Sequence, residues 1–296
     1  MASGARQPRG RPPPPRGWRP KAVVCDVDGT ITFKDRKIDA VAVEALRATE
    51  AAGVPVVLAT GNVLPIAYAL SYLVGTSGPI VAENGGLVYF RGAVEELVKR
   101  DEVELVARAV EKRLGLTRLF TDRWRVTEVA FPEARGTYDA VRREVAAHPQ
   151  GSHVRVERTG FAVHLMNPGS AKFRGVVRAL ELIGLAPGDA LACGDSDNDA
   201  EMVGRCGAGV ALGGAPEGLR AAATLVTRKV AGRGLAEAFL RFGVVAPAVT
   251  PQGRAARGAP KRARRARRQA ATRTRRGAPA RTPTKARRVP RRAGRP

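Results

Sequence analysis

The chain has little sulfur, few aromatic residues and no acid at either end, and each shortage narrows what it can be. Three cysteines, Cys25, Cys193 and Cys206, are spread over 296 residues. They form no CxxC pair, and their odd number fits no disulfide framework, which argues against a zinc module or a stapled secreted domain. Cys25 and Cys193 lie in apolar runs and are expected to pack as small core residues. No uninterrupted apolar run approaches the ~18 residues of a membrane span. The basic residues near the N-terminus are followed by no apolar h-region, so no secretory signal is expected and the expected setting is reduced and cytoplasmic.

Acid is absent from residues 1–21 and 251–296, which carry six and eighteen Lys/Arg respectively. Those ends account for the whole formal charge of +24, leaving residues 22–250 formally neutral. A surplus of that size on a folded surface would point to nucleic acid. Here it lies in Pro/Arg/Gly and Ala/Arg/Pro/Gly text that cannot bury apolar surface, so 1–20 and 246–296 are expected to be disordered. The tail lacks aromatic residues for base stacking, which limits it to nonspecific, salt-dependent phosphate binding. The same text also arises when GC-rich DNA is read past a stop or out of frame, and then the tail has no function.

What lies between the ends is apolar and periodic. With 44% hydrophobic residues the chain can bury a sizeable core. Continuously apolar strands at 22–25, 54–59 and 80–82 alternate with helices over 39–52 and 64–74, the pattern of a parallel sheet covered on both faces. From Gly85 the character changes. Leu87–Phe90, Arg118–Phe120, Arg125–Phe131, Val154–Arg158 and Phe161–Met166 read as strands, with amphipathic helices at 101–114 and 135–147. From Ser170 the α/β rhythm returns: a helix at 171–183, a strand at 190–193, a short helix at 198–204, strands near 208–212 and 224–226, and a helix at 234–241. The expected fold is therefore a Rossmann-like, doubly wound α/β core in two parts, 21–84 and 159–245, with an α+β cap inserted at 85–158.

Four segments carry candidate chemistry. Asp26 and Asp28, in Val24-Cys25-Asp26-Val27-Asp28-Gly29-Thr30, stand where a buried strand ends, and ligands bind at such ends. Two apart on an extended segment, both carboxylates face one crevice, one as nucleophile or metal ligand and the other as general acid/base. The plain alternative is a turn with solubilising acids. Gly194-Asp195-Ser196-Asp197-Asn198-Asp199 follows another apolar strand and offers oxygen ligands to a hard cation. A calcium loop is excluded, because its sixth and twelfth positions would be Ala200 and Cys206 rather than Gly and Glu. Thr60-Gly61-Asn62 puts a hydroxyl and backbone N–H groups at a helix entrance, either a phosphate cradle or a simple cap. Lys172 stands near a helix start, where the default is a solvated surface lysine.

In this order, Asp26-Val27-Asp28-Gly29-Thr30, Thr60-Gly61-Asn62, Lys172 and Gly194–Asp199 resemble the four motifs of the haloacid dehalogenase superfamily. The long interval between the second and third resembles the cap-bearing sucrose-phosphate-phosphatase-like and Cof-like subclass. Ala59–Leu64, Gly75–Pro79 and Ala82-Glu83-Asn84-Gly85-Gly86 resemble archaeal-type phosphoglycolate phosphatases. The resemblance spans about 20–243 and leaves both basic ends outside. It implies Mg2+-dependent hydrolysis of a small phosphate ester, 2-phosphoglycolate or a wider range of sugar phosphates. Asp26 would be the nucleophile, forming an aspartyl-phosphate, and Asp28 the general acid/base. Asp26, Asp195, Asp199 and the main-chain carbonyl of Asp28 would hold the metal; Thr60, Gly61 and Lys172 would hold the phosphate. With a carboxylate nucleophile, no Ser-His-Asp set or activated Cys is required. His148, His153 and His164 are expected to be structural. Arg123, Arg125 and His153 are candidate partners for a substrate carboxylate, with surface charge as the default for each. A monomer or a homodimer fits the sequence, and no membrane partner is expected.

Overall fold

In the computed structural model, residues 11–159 and 162–244 are described. The basic tail at 246–296 and the first ten residues, both expected to be disordered, lie outside the described residues.

The first half of the core alternates as its sequence requires. β1 (Ala22–Cys25), α1 (Ala40–Ala51), β2 (Val56–Ala59), α2 (Leu64–Val74) and β3 (Ile80–Ala82) follow one another. Asp39 caps α1, its carboxylate accepting from the Val41 N–H at 2.9 Å and the Gly232 N–H at 3.0 Å. Pro65 opens α2 and Gly75, at φ 86°, ends it. Arg47 then satisfies two of the helix's last carbonyls, those of Leu73 and Val74.

Beyond β3 the chain does not leave the sheet at once. β4 (Leu87–Phe90) and β5 (Ala93–Glu96) add an antiparallel hairpin to its edge. The expected cap start at residue 85 is thus too early, and β5 was not anticipated. Leu87 and Val88 are buried against the large sheet, which a short run of strand periodicity does not reveal. α3 (Asp101–Leu114), β6 (Glu128–Pro132), α4 (Thr137–Ala147), β7 (Arg155–Arg158) and β8 (Ala162–Met166) form the second layer system, a three-stranded antiparallel sheet in the order β6-β8-β7. β8 therefore belongs with the insert, although it lies past the expected boundary at 158. Arg118–Phe120 is not a strand. Arg118 is drawn instead to Glu104 and Glu111 at 2.8 and 2.7 Å, and a 3₁₀ turn follows at Phe120–Trp124.

The chain then returns through α5 (Lys172–Glu181), β9 (Ala190–Gly194), α6 (Ala200–Arg205), β10 (Ala208–Ala211), α7 (Glu217–Ala222), β11 (Leu225–Val226) and α8 (Ala231–Arg241). The large sheet runs β11-β10-β9-β1-β2-β3-β4-β5, parallel from β11 to β3. Its strands alternate between two cores. Val24, Val57 and Ala192 face Val176 and Leu180 of α5 and Met202 of α6. Val23, Leu58 and Cys193 face Leu46 of α1, Leu70 of α2 and Phe239 of α8. A third core, with Val106, Phe131, Val141 and Leu165, sits between the insert's sheet and its two helices.

The segment before β1 is not wholly structureless. Trp18 stacks edge-on to Phe242 at 6.2 Å and donates from its indole to the Gly188 carbonyl at 3.1 Å. One indole supplies enough apolar and polar contact to hold a Pro/Arg-rich stretch. Among the described residues no helix is long and apolar enough to cross a membrane.

Candidate active site

Strand register builds the site. Cys25 pairs with Cys193 on one side and Leu58 on the other, in parallel. The residues just beyond these strands, Asp26, Asp195 and Thr60, therefore emerge at one edge. β1 is also where the strand order reverses, the place where an open α/β sheet leaves a crevice.

Asp26 is buried there. Its N–H donates to the Cys193 carbonyl at 3.0 Å, and its Oδ1 accepts from Lys172 Nζ at 2.9 Å. The same ammonium donates to Asp199 Oδ1 at 2.6 Å. Lys172 is thus no surface lysine; its side chain is 3% exposed. Asp199 Oδ2 accepts from the N–H groups of Asp195 and Ser196 and from the Ser196 hydroxyl, which fixes the acidic loop before α6. Gly29, at φ +87°, leaves room for this loop; a Cβ there would stand 2.1 Å from Asp195 Oδ2.

Asp26, Asp195 and Asp199 bring carboxylate oxygens within 4.8 Å of one another. Asp26 Oδ2 and Asp195 Oδ1 are buried with no hydrogen-bond partner among the described residues. Burial pushes the Asp26 carboxyl well above its usual range, the Asp199 charge adds to this, and Lys172 opposes it. Burial and Asp199 likewise push Asp195 up to about 6. Three crowded carboxylates carry too much negative charge for one lysine, Asp195 Oδ1 is idle, and oxygen-only donors suit a hard cation. This group of residues fits a divalent metal ion. The Asp28 side chain is not in the group.

Asp28 lies across the crevice, where its Oδ2 accepts from Asn62 Nδ2 at 2.6 Å. Burial raises its carboxyl above the usual range, against the pull of Lys172 and Arg36. Thr60 is fully buried, and its hydroxyl accepts from the Asn62 N–H at 3.0 Å. Burial pushes Cys206 up to about 12 and raises Cys25 and Cys193 as well, so none of the three supplies a thiolate.

A cavity of about 900 Å³ opens over these groups. Asp26, Asp28, Gly61 and Asp195 reach its wall, whereas Thr60, Lys172 and Asp199 stand behind it. Opposite them lie Tyr138, Val156, Glu157, Arg158 and Thr159 of the insert. Phe33, Lys34 and Arg36, from the turn after Asp28, complete the mouth. None of these was singled out from sequence. Lys34-Asp35-Arg36 has the composition of any polar turn, and Arg158 that of any strand end. Of the expected carboxylate partners, none lines the cavity. Arg123 stacks on Phe120, and His153 pairs with Glu102 at 2.9 Å on the surface. Arg125 is buried, not superficial, in an ion pair with Glu128.

The family model for haloacid dehalogenase-like hydrolases matches residues 23–121 and 118–239. The chain belongs to this family. A phosphoglycolate phosphatase of Methanothermobacter thermautotrophicus is 38% identical over 222 residues, which are 75% of this chain and 98% of the relative. One from Archaeoglobus fulgidus is 34% identical over 230 residues, covering 77% and 99%. The crystal structure of Thermoplasma acidophilum 0175 superposes with a TM-score of 0.70 at 28% identity, over 76% of this chain and 98% of that one. Membership in this hydrolase family agrees with the residues gathered at the strand ends, and the match excludes the basic tail.

Proposed function

We propose that the chain is a Mg2+-dependent phosphatase acting on 2-phosphoglycolate through an aspartyl-phosphate on Asp26. The observation that carries this reading is the two unequal oxygens of Asp26. Oδ1 is bound by Lys172, and Oδ2 is buried without a hydrogen-bond partner among the described residues, at the wall of a cavity. An oriented carboxylate with one idle oxygen is set up as a nucleophile.

That oxygen attacks phosphorus as the bond to the leaving alkoxide breaks. Asp28, whose carboxyl is raised by burial, gives its proton to that alkoxide. As a carboxylate it then takes a proton from water, which attacks phosphorus and releases Asp26. Asn62 keeps the Asp28 carboxyl oriented during both transfers. Lys172 keeps Asp26 and Asp199 from repelling each other and holds the nucleophile in place. Asp26, Asp195, Asp199 and the Asp28 carbonyl would hold the magnesium ion, which would supply charge screening between carboxylate and phosphate. Lys34 and Arg36 at the mouth, and Arg158 opposite them in an ion pair with Glu133, place positive charge around the cavity, and the named relatives support 2-phosphoglycolate as the substrate.

The cavity also favours a second reading. Its ~900 Å³ is in the range that encloses drug-sized ligands, far more than phosphoglycolate fills. A broader sugar-phosphate phosphatase would use that room. Steady-state rates on phosphoglycolate and a panel of hexose phosphates, with Mg2+, separate the two. The narrow reading requires a clear preference for phosphoglycolate in kcat/KM; equal values across the panel leave the broad one. In either case Asp26→Asn abolishes turnover, and a fully active Asp26→Asn enzyme refutes the mechanism.

A further inference from the structure

The Thr60-Gly61-Asn62 turn has an internal bond, from the Asn62 N–H to the Thr60 hydroxyl, but its carbonyls are held from elsewhere. Each of its three carbonyls accepts a hydrogen bond from outside it. The Asn84 N–H donates to the Thr60 carbonyl at 3.1 Å and the Glu83 N–H to the Asn62 carbonyl at 3.0 Å. Between them, Arg125 Nη1 donates to the Gly61 carbonyl at 3.1 Å. In a trans peptide the C=O and N–H point opposite ways. The Thr60 carbonyl is drawn toward Asn84, so the N–H of Gly61 on the same peptide points away from Asn84, and Gly61 itself stands at the cavity wall.

The donors are themselves held by the insert. Glu83 and Asn84 carry positive φ, 50° and 51°, a conformation Asn adopts readily but Glu keeps only when its surroundings impose it. The Glu83 carboxylate accepts from the N–H groups of Val126 and Thr127 and from the Thr127 hydroxyl. Arg125 is paired with Glu128, and both side chains are at most 1% exposed. Asn84 Nδ2 and His164 Nδ1 contact the two oxygens of Glu128 at 3.0 and 3.1 Å. Solvation of a lone charge gives no reason to bury an arginine here, since a hydrophobic pair of that volume would pack as well. The several donors of the guanidinium do give one, because Nη1 alone binds the Glu128 carboxylate and the Gly61 carbonyl at once.

We infer that Arg125, oriented by Glu128, is a positioning residue: it fixes the phosphate-facing turn at Gly61 from the insert side, so that the insert is part of the site's scaffold and not only its lid. This rests on the reading of Thr60–Asn62 as the turn that meets the transferring phosphate.

Arg125→Met alone strands the buried Glu128 charge and is expected to unfold readily. The paired change Arg125→Met with Glu128→Gln leaves no lone charge and is expected to fold. Three readouts are taken on the full chain: the unfolding transition, deuterium uptake of the peptide spanning Thr60–Asn62, and kcat and KM on p-nitrophenyl phosphate with Mg2+. The expected result is faster exchange at that peptide and a kcat per folded molecule lower by roughly ten- to a hundredfold, with KM moving less. A purely structural role would lower the melting temperature and leave kcat per folded molecule alone. Unchanged exchange overturns the inference, and so does faster exchange with unchanged kcat. Failure of the functional reading is distinct: the unmodified chain would then hydrolyse no phosphate ester, whatever the exchange shows.

Discussion

Replacing Lys172 with methionine tests the electrostatics of the site most directly. Its ammonium lies 2.9 Å from Asp26 and 2.6 Å from Asp199, with all three side chains at most 5% exposed. At an effective dielectric constant of about 20, each contact is worth about 6 kcal/mol before solvation is counted. Much of that offsets the desolvation of the ammonium, whose burial works to lower its pKa; the two carboxylates outweigh this and hold it above the usual lysine range. Breaking such a buried pair from one side costs about 3–5 kcal/mol. For a folded body of this size that corresponds to about 6–20 °C in melting temperature. The assay is thermal unfolding of both proteins in chelator and again in millimolar Mg2+. In chelator, Lys172→Met should melt lower by that amount. Added Mg2+ should raise its melting temperature more than that of the unmodified chain, because a cation among Asp26, Asp195 and Asp199 relieves the repulsion the lysine no longer screens. Activity should be lost as well. A chelated Lys172→Met protein melting within about 2 °C of the parent would refute the charge argument.

Other outcomes follow from the same geometry. In chelator, stability should fall as pH rises from about 3.8 toward about 6, the ordinary and folded-state values for Asp195, because across that window the folded state binds the proton that the unfolded state has released. Mg2+ should flatten this slope, and chemical denaturation across the window measures it; a slope unchanged by Mg2+ would place the cation elsewhere. Gly29→Ala forces a Cβ into the Asp195 carboxylate at a left-handed φ, so it should weaken Mg2+ binding, read by calorimetry, and lower kcat by at least tenfold; an unaffected Mg2+ affinity would show that the loop can retreat. Arg118→Met, far from the cavity, removes the cation shared by Glu104 and Glu111 and should cost about 1 kcal/mol after screening. The Arg118 hydrogen bond brings Glu104 down to about 2, so this cost should be full above pH 4.5 and shrink as pH falls toward 2, with kcat on p-nitrophenyl phosphate unmoved at neutral pH.

The core helices and parallel strands are legible because burial on both faces leaves continuous apolar runs, and because Gly53 and Gly75 punctuate them. Leu87–Phe90 reads as a cap strand but joins the large sheet, since alternation in a four-residue strand does not say which sheet it joins. Arg118–Phe120 reads as a strand although its arginine is spent on ion pairs, a competing use that appears only when α3 is in place. Lys172 shows the same limit from the other side. A lone lysine reads as solvated until α5 carries it between two carboxylates.

Sequence alone determined the chemical groups and their order along the chain: Asp26 and Asp28, then Thr60–Asn62, Lys172, and the loop from Gly194 to Asp199. Each follows an apolar strand or opens a helix, which is local information and survives in one dimension. Tertiary structure decided what those groups do to one another. Only the pairing of β1 with β9 and the docking of α5 set Asp26 against Asp199 and Lys172 and leave one of its oxygens without a partner among the described residues. Only the docking of the insert puts Tyr138 and Arg158 over the crevice and Arg125 against Gly61. Charge separation, burial and hydrogen-bond reach are distances between residues remote in sequence, and no periodicity encodes them.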